Sequence, residues 1–171
     1  MDVFEAIRTV LAVRKFKSTP VPDEVVDRIV EAGRLTGSAR NLQPWHFVVV
    51  KNSNTLRELG AQAQTGPYIA EAPVAIVVAI EAGPFAVSDA SRAIQDMLLA
   101  AWAEGVGSNW VGFSGGMGWV NPLLGIPSEL DVLAILPFGY SAEEVGRGKK
   151  NRKPLTDIAS SERYGQPYTR G

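Results

Sequence analysis

The chain has 171 residues, 46 % of them hydrophobic and 20 % charged, and 17 Lys+Arg against 18 Asp+Glu leave a formal net charge of −1. This is the composition of a globular domain able to bury a core, and without a cationic surplus it is not a general nucleic-acid binder. With no cysteine and one histidine, disulfides, Cys-ligated zinc, iron–sulfur clusters, thiol nucleophiles and His-rich metal sites are excluded. The start Met1-Asp2-Val3-Phe4-Glu5 lacks the basic and apolar runs of a secretory signal. The longest apolar run, Ala72 to Ile80, is about half a bilayer span, so a cytoplasmic domain without membrane contact is expected.

Val3, Phe4, Ile7, Val10 and Leu11 recur at helical spacing and predict a helix over 2–13. Pro22, Asp23 and Glu24 open a second helix with Val26, Ile29, Val30 and Gly33 on one face. The polar, breaker-rich stretch 36–44 is a loop leading into a strand over 46–51. A helix over 53–64, a buried strand over 74–80 and a long helix over 88–104 follow. The long helix turns Ile94, Met97, Leu98, Ala101 and Trp102 inward and stops at Gly105 and Gly107. Residues 109–113 suit a short strand, 114–118 a glycine loop, 120–124 a short helix and 132–136 the last strand. From Ser141 the chain is too polar to build a core, and it reads as an extended arm or a loose end. Helices and strands alternate irregularly within one domain, so the class is α/β or α+β.

Gly112-Phe113-Ser114-Gly115-Gly116 matches a nucleophile elbow, but the sole histidine, His46, precedes the serine, against the hydrolase order. The plainer reading is that these glycines allow close backbone approach. Neither G-x-G-x-x-G nor a Walker loop occurs, so a phosphate would have to be held by side chains. Arg147, Lys149, Lys150, Arg152 and Lys153 suit that task, although such a run taken alone reads first as a solvated face. Loop 36–45 sets Ser38, Asn41 and Gln43 beside rigid Pro44-Trp45 at the mouth of a strand. Amides there can donate to and accept from the edge of a planar heterocycle, and an ordinary capped turn would use the same residue types. Trp45 and His46 read as structural.

Phe4-Glu5-Ala6-Ile7, Val13-Arg14-Lys15-Phe16, Pro20-Val21-Pro22 and Ser38-Ala39-Arg40-Asn41-Leu42-Gln43-Pro44-Trp45 resemble the N-terminal part of the nitroreductase family. The likeness continues through Glu71-Ala72-Pro73-Val74, Gly105-Val106-Gly107, Leu124-Gly125-Ile126-Pro127, Pro137-Phe138-Gly139-Tyr140 and Lys150-Asn151-Arg152-Lys153-Pro154. The resemblance implies an α+β fold with a central, mostly antiparallel sheet, and an arm over 141–171 crossing to the partner of a homodimer. It also implies FMN bound non-covalently at the dimer interface. NADH or NADPH would reduce the flavin in a ping-pong cycle, and a nitroaromatic, quinone or related acceptor would take the electrons. Arg14 would approach the polar edge of the flavin ring or the ribityl chain. Ser38, Asn41 and Gln43 would bind FMN from the partner subunit, Gly115 and Gly116 would bring backbone amides to the ring, and Lys150 and Arg152 would hold the phosphate. The cofactor carries the redox chemistry, so no catalytic side chain is expected.

One departure bears on affinity. Where the family has an Arg-x-Ser phosphate anchor, this chain has Val10-Leu11-Ala12. Each lost charge-assisted hydrogen bond costs roughly 1.5–3 kcal/mol. Either other tail cations such as Lys149 or Lys153 take over the phosphate, or the chain has diverged towards another flavin- or deazaflavin-type ligand or a non-catalytic role. Residues 81–87 leave little chain for a lid, which implies an open face lined by Phe85, Trp119 or Tyr68.

Overall fold

A computed structural model describes residues 1–112, 116–145 and 150–168. Its centre is β2 (Val74–Ile80), the apolar run whose seven residues are all buried. A strand that is apolar at every position needs cover on both faces, and this one has it. Val74, Ile76, Val78 and Ile80 enter one cluster with Val26 and Ile29 of α2 (Asp23–Arg34) and with Ile94, Met97 and Ala101 of α4 (Ala86–Ala103). Ala75, Val77 and Ala79 enter the other with Leu56 and Leu59 of α3 (Ser53–Gln62) and Val120 of α5 (Val120–Leu124).

β2 pairs antiparallel with β1 (Trp45–Val50) on one side and β4 (Asp131–Gly139) on the other, and β3 (Gly107–Ser108) closes the order β1-β2-β4-β3. The α+β class and the antiparallel sheet thus stand as expected. α2 buries Val26, Ile29 and Gly33, with Val30 half-buried, as its periodicity predicts. α4 ends on Gly105 at φ +77, a left-handed stop suited to glycine. Among the described residues no helix is long and apolar enough to cross a membrane.

Three expectations change. The first helix, α1 (Val3–Thr9), is capped by the Asp2 carboxylate on the Glu5 N–H at 2.8 Å and stops four residues short of the predicted end. Its buried residues are Ala6 and Thr9, while Val3 and Phe4 are about three-quarters exposed. Past Thr9, tertiary pairing overrides helical periodicity: Ala12 bridges Ser108 in parallel register and the Val13 N–H donates to the Ser108 carbonyl at 2.9 Å. The strand expected over 109–113 is displaced: β3 is Gly107–Ser108, ahead of that range, and within it Val111 makes an isolated bridge to Ile135, while Phe113 lies outside the described residues. Pro137, opposite Asn109, can accept but not donate, so the ladder weakens there. The last strand runs on through Pro137 to Gly139, longer than the 132–136 expected.

Gly107 has a specific reason to be glycine. A Cβ there would sit 2.4 Å from Cγ2 of Val13, so the extended segment after α1 can lie against β3 only over a bare backbone. That close approach brings Val10–Ala12 beside Ser108.

Candidate functional site

The C-terminal end of α1, the end of β3 and the returning tail converge on a cavity of about 560 Å³. Val10, Leu11, Ala12, Ser108, Lys150 and Arg152 lie on its wall, with Gln95 and Leu98 of α4 behind them. Lys150 Nζ donates to the Ile7 carbonyl at 2.6 Å, at the α1 end whose last carbonyls lack helical partners. Among the described residues Arg152 donates to the neighbouring Asn151 carbonyl, at 2.9 Å. Among the described residues neither cation forms an ion pair with a carboxylate. Burial, and then the nearby Arg152 charge, lower the Lys150 ammonium from its ordinary 10.5. Two like charges facing one cavity without an acid between them favour an anion there.

Ser108 is 2 % exposed, and its Oγ has no hydrogen-bond partner among the described residues. Such an orphaned hydroxyl costs roughly 1–3 kcal/mol, and among the described residues it is the one buried side-chain polar atom without a partner. Sequence reasoning passed over Ser108 because a lone serine between Gly107 and Asn109 carries no motif.

The loop predicted to meet a heterocycle has a strained backbone. Arg40, Asn41 and Gln43 all sit at left-handed φ, +53°, +57° and +50°, which costs roughly 1 kcal/mol or more for each non-glycine residue. Ser38 Oγ accepts from the Gln43 N–H at 2.9 Å, cinching the loop, and the Gln43 side-chain amide donates to the Asn41 carbonyl at 3.3 Å. Asp89 of α4, 1 % exposed, accepts from the Ala39 N–H at 2.9 Å and from Arg92. Asp89 lies three residues from Ala86 and four from Ala93, a helical spacing that was visible in the sequence, but Asp96 seven residues on shares that side of the helix and is exposed, so spacing alone did not single Asp89 out.

The site residues expected from sequence do not meet within one chain. Lys150 and Arg152 share a cavity; exposed Arg14 lines an adjoining one of about 240 Å³ with Leu11 and Ala12. Ser38, Asn41 and Gln43 line neither, because their loop sits at the other end of α4, by Asp89. Gly116 is exposed and at φ +81, and among the described residues nothing lies within 4 Å of where a Cβ would sit; Gly115 lies outside the described residues, as do Ser114, Arg147 and Lys149. Of the aromatic residues expected on an open face, Tyr68 and Trp119 pack against the core, and the Tyr68 hydroxyl accepts from Asn109. Phe85 alone of the three is exposed, at 46 %, beside Arg40 and Leu42 in a cavity of about 190 Å³. Trp45 stacks on Phe47 with ring centroids 6.2 Å apart and packs on the core, as a structural residue. Among the described residues no cluster of His, Asp or Glu could hold a metal.

Set beside known proteins, the chain matches the nitroreductase family over residues 8–72 and 60–140. It is 36 % identical over 154 residues to a Methanothermobacter thermautotrophicus protein provisionally named NADH dehydrogenase/NAD(P)H nitroreductase, covering 85 % of this chain and 81 % of that one. The solved FMN-dependent nitroreductase of Clostridium difficile is 28 % identical, with a TM-score of 0.76 over 90 % of this chain and 93 % of that one. The NADPH:FMN oxidoreductase of Vibrio harveyi, solved with NAD+, is 25 % identical, with a TM-score of 0.85 over 97 % and 79 %.

Proposed function

The chain belongs to the nitroreductase family, and on that premise we propose that it is an FMN-dependent oxidoreductase drawing electrons from NADH or NADPH. The observation that carries the reading is the pair Lys150 and Arg152, unpaired with any acid among the described residues and facing one cavity. The chemistry of that donor set fits a phosphate monoester, which takes charge-assisted hydrogen bonds from both cations. When bound, FMN would supply the redox chemistry, accepting an electron pair from the nicotinamide and passing it to a nitroaromatic, quinone or related acceptor.

The chain's own residues bind and orient. Lys150 and Arg152 would fix the phosphate, and Arg14, in the adjoining cavity that shares Leu11 and Ala12, would place a positive charge by the ribityl chain or the polar ring edge. Ser38, Asn41 and Gln43 would present amide and hydroxyl groups to the ring from a partner subunit, and Gly116, with Gly115, would leave backbone amides accessible to it. The separation of the two halves along α4 supports an interface site. So do the exposed apolar residues Val3, Phe4 and Ile7 on α1 and Leu155, Ile158 and Tyr168 on the arm, which a homodimer would cover. The nicotinamide donor fits work in the cytoplasm, where such donors are regenerated.

Lys150 gives this reading a pH dependence. Its folded value lies below the unfolded 10.5, so the protonated ammonium costs stability below that folded value, and the cost fades as pH rises through it. A phosphate opposite the ammonium removes the cost. Added FMN is therefore expected to raise Tm at neutral pH and to raise it less near pH 10.5. The functional test is oxidation of NADH and NADPH by the FMN-loaded protein, with menadione and a nitroaromatic as acceptors. Turnover above free FMN is expected with one donor; none with either overturns the proposal.

A further inference from the structure

Ser108 combines four features. It is buried, its hydroxyl has no partner among the described residues, its backbone is flanked by Phe138 on one side and by Ala12 and Val13 on the other, and it lines the cavity that holds Lys150 and Arg152. The backbone places it firmly: β3 pairs Ser108 with Phe138, and the Ser108 carbonyl accepts the Val13 N–H at 2.9 Å. An alanine would occupy the same place without leaving a polar group unpaired, so packing alone does not account for the hydroxyl. Ser108 is also the registered partner of Ala12 in a parallel bridge. Registered residues on adjacent strands project to the same face, so the Ser108 hydroxyl and the Ala12 methyl point to one side of the sheet edge.

We propose that Ser108 is a third phosphate ligand of the bound flavin nucleotide, donating its Oγ–H to a phosphate oxygen beside Lys150 and Arg152. This rests on the FMN reading above and deepens it. The hydroxyl then stands where the neighbouring backbone segment, Val10-Leu11-Ala12, offers only apolar side chains to the same cavity. The two cations supply charge from the tail, and Ser108 supplies a short, fixed donor from the sheet. In the apo protein the hydroxyl is a cost; in the loaded protein it is a hydrogen bond to a charged group.

The two states give Ser108→Ala opposite effects. Titration of wild type and S108A with FMN, followed by quenching of flavin fluorescence, is expected to show roughly ten- to a hundred-fold weaker binding in the variant. Riboflavin, which lacks the phosphate, is expected to bind the two proteins equally. Apo S108A is expected to melt at the wild-type temperature or above it, since an unpaired buried hydroxyl has gone. Equal FMN affinity would overturn the proposal, as would an equal loss for riboflavin or a lowered apo Tm, which mark a structural hydroxyl. Wild type that binds no FMN would overturn the cofactor reading and this proposal with it; wild type that binds FMN while S108A binds it equally would overturn this proposal alone.

Discussion

Replacing Lys150 and Arg152 together by alanine is expected to weaken FMN binding by about two to four orders of magnitude. Each cation gives the phosphate a charge-assisted hydrogen bond worth roughly 1.5–3 kcal/mol, and every 1.4 kcal/mol is tenfold in Kd. The apo protein should lose little. Among the described residues neither side chain has an acidic partner, and the charge of Arg152 counts against the protonated Lys150. Affinity falling while apo Tm holds would separate a ligand-binding pair from a structural one. Unchanged FMN affinity in the double variant would show that the phosphate lies elsewhere, and the arm's basic run would revert to a solvated face.

Asp89→Ala is expected to have the second-largest effect, on both stability and binding. The carboxylate is 1 % exposed and accepts from the Ala39 N–H at 2.9 Å and from Arg92. Its loss leaves the Ala39 N–H without its acceptor at the start of a loop holding Arg40, Asn41 and Gln43 at left-handed φ. That backbone persists only where its surroundings hold it, and Asp89 with Ser38 does the holding. The loss of a charge-assisted, buried acceptor is worth about 2–3 kcal/mol. For a domain of this size that lowers Tm by roughly 4–12 °C. The loop would then present Ser38, Asn41 and Gln43 in many conformations, and FMN affinity should fall with the melting temperature. Asp89→Asn keeps one acceptor oxygen for Ala39 and should recover part of both. A D89A protein with wild-type Tm and FMN affinity would show that the loop holds its shape unaided.

Much of this fold was legible in the residues because its elements obey one period each. β2 is apolar at every position and α2 and α4 repeat every three to four residues, so periodicity alone locates them. The α1 boundary was not legible. Val10 and Leu11 continue the helical pattern, and only the pairing of Ala12 and Val13 with Ser108, 96 residues beyond Ala12, pulls the chain straight. For the site, the cationic arm and the polar loop could be seen as chemistry, since charge and amide types are visible in sequence. The left-handed loop backbone could not, because Arg40 and Gln43 are not residues that advertise positive φ. Tyr68 and Trp119 illustrate the reverse case, aromatic side chains that suit a binding face by type but are drawn into the core by what lies beside them.

The central claim is that this chain holds FMN and passes electrons through it, with Val10 and Ala12 where the anchor motif would stand. Its most direct test is an absorbance spectrum of the purified protein after incubation with excess FMN and desalting, then again anaerobically with NADH or NADPH. A retained flavin spectrum that bleaches with one of the two donors is the expected result. A protein that leaves the column colourless would contradict the account and mark Lys150, Arg152 and Ser108 as insufficient to hold the phosphate.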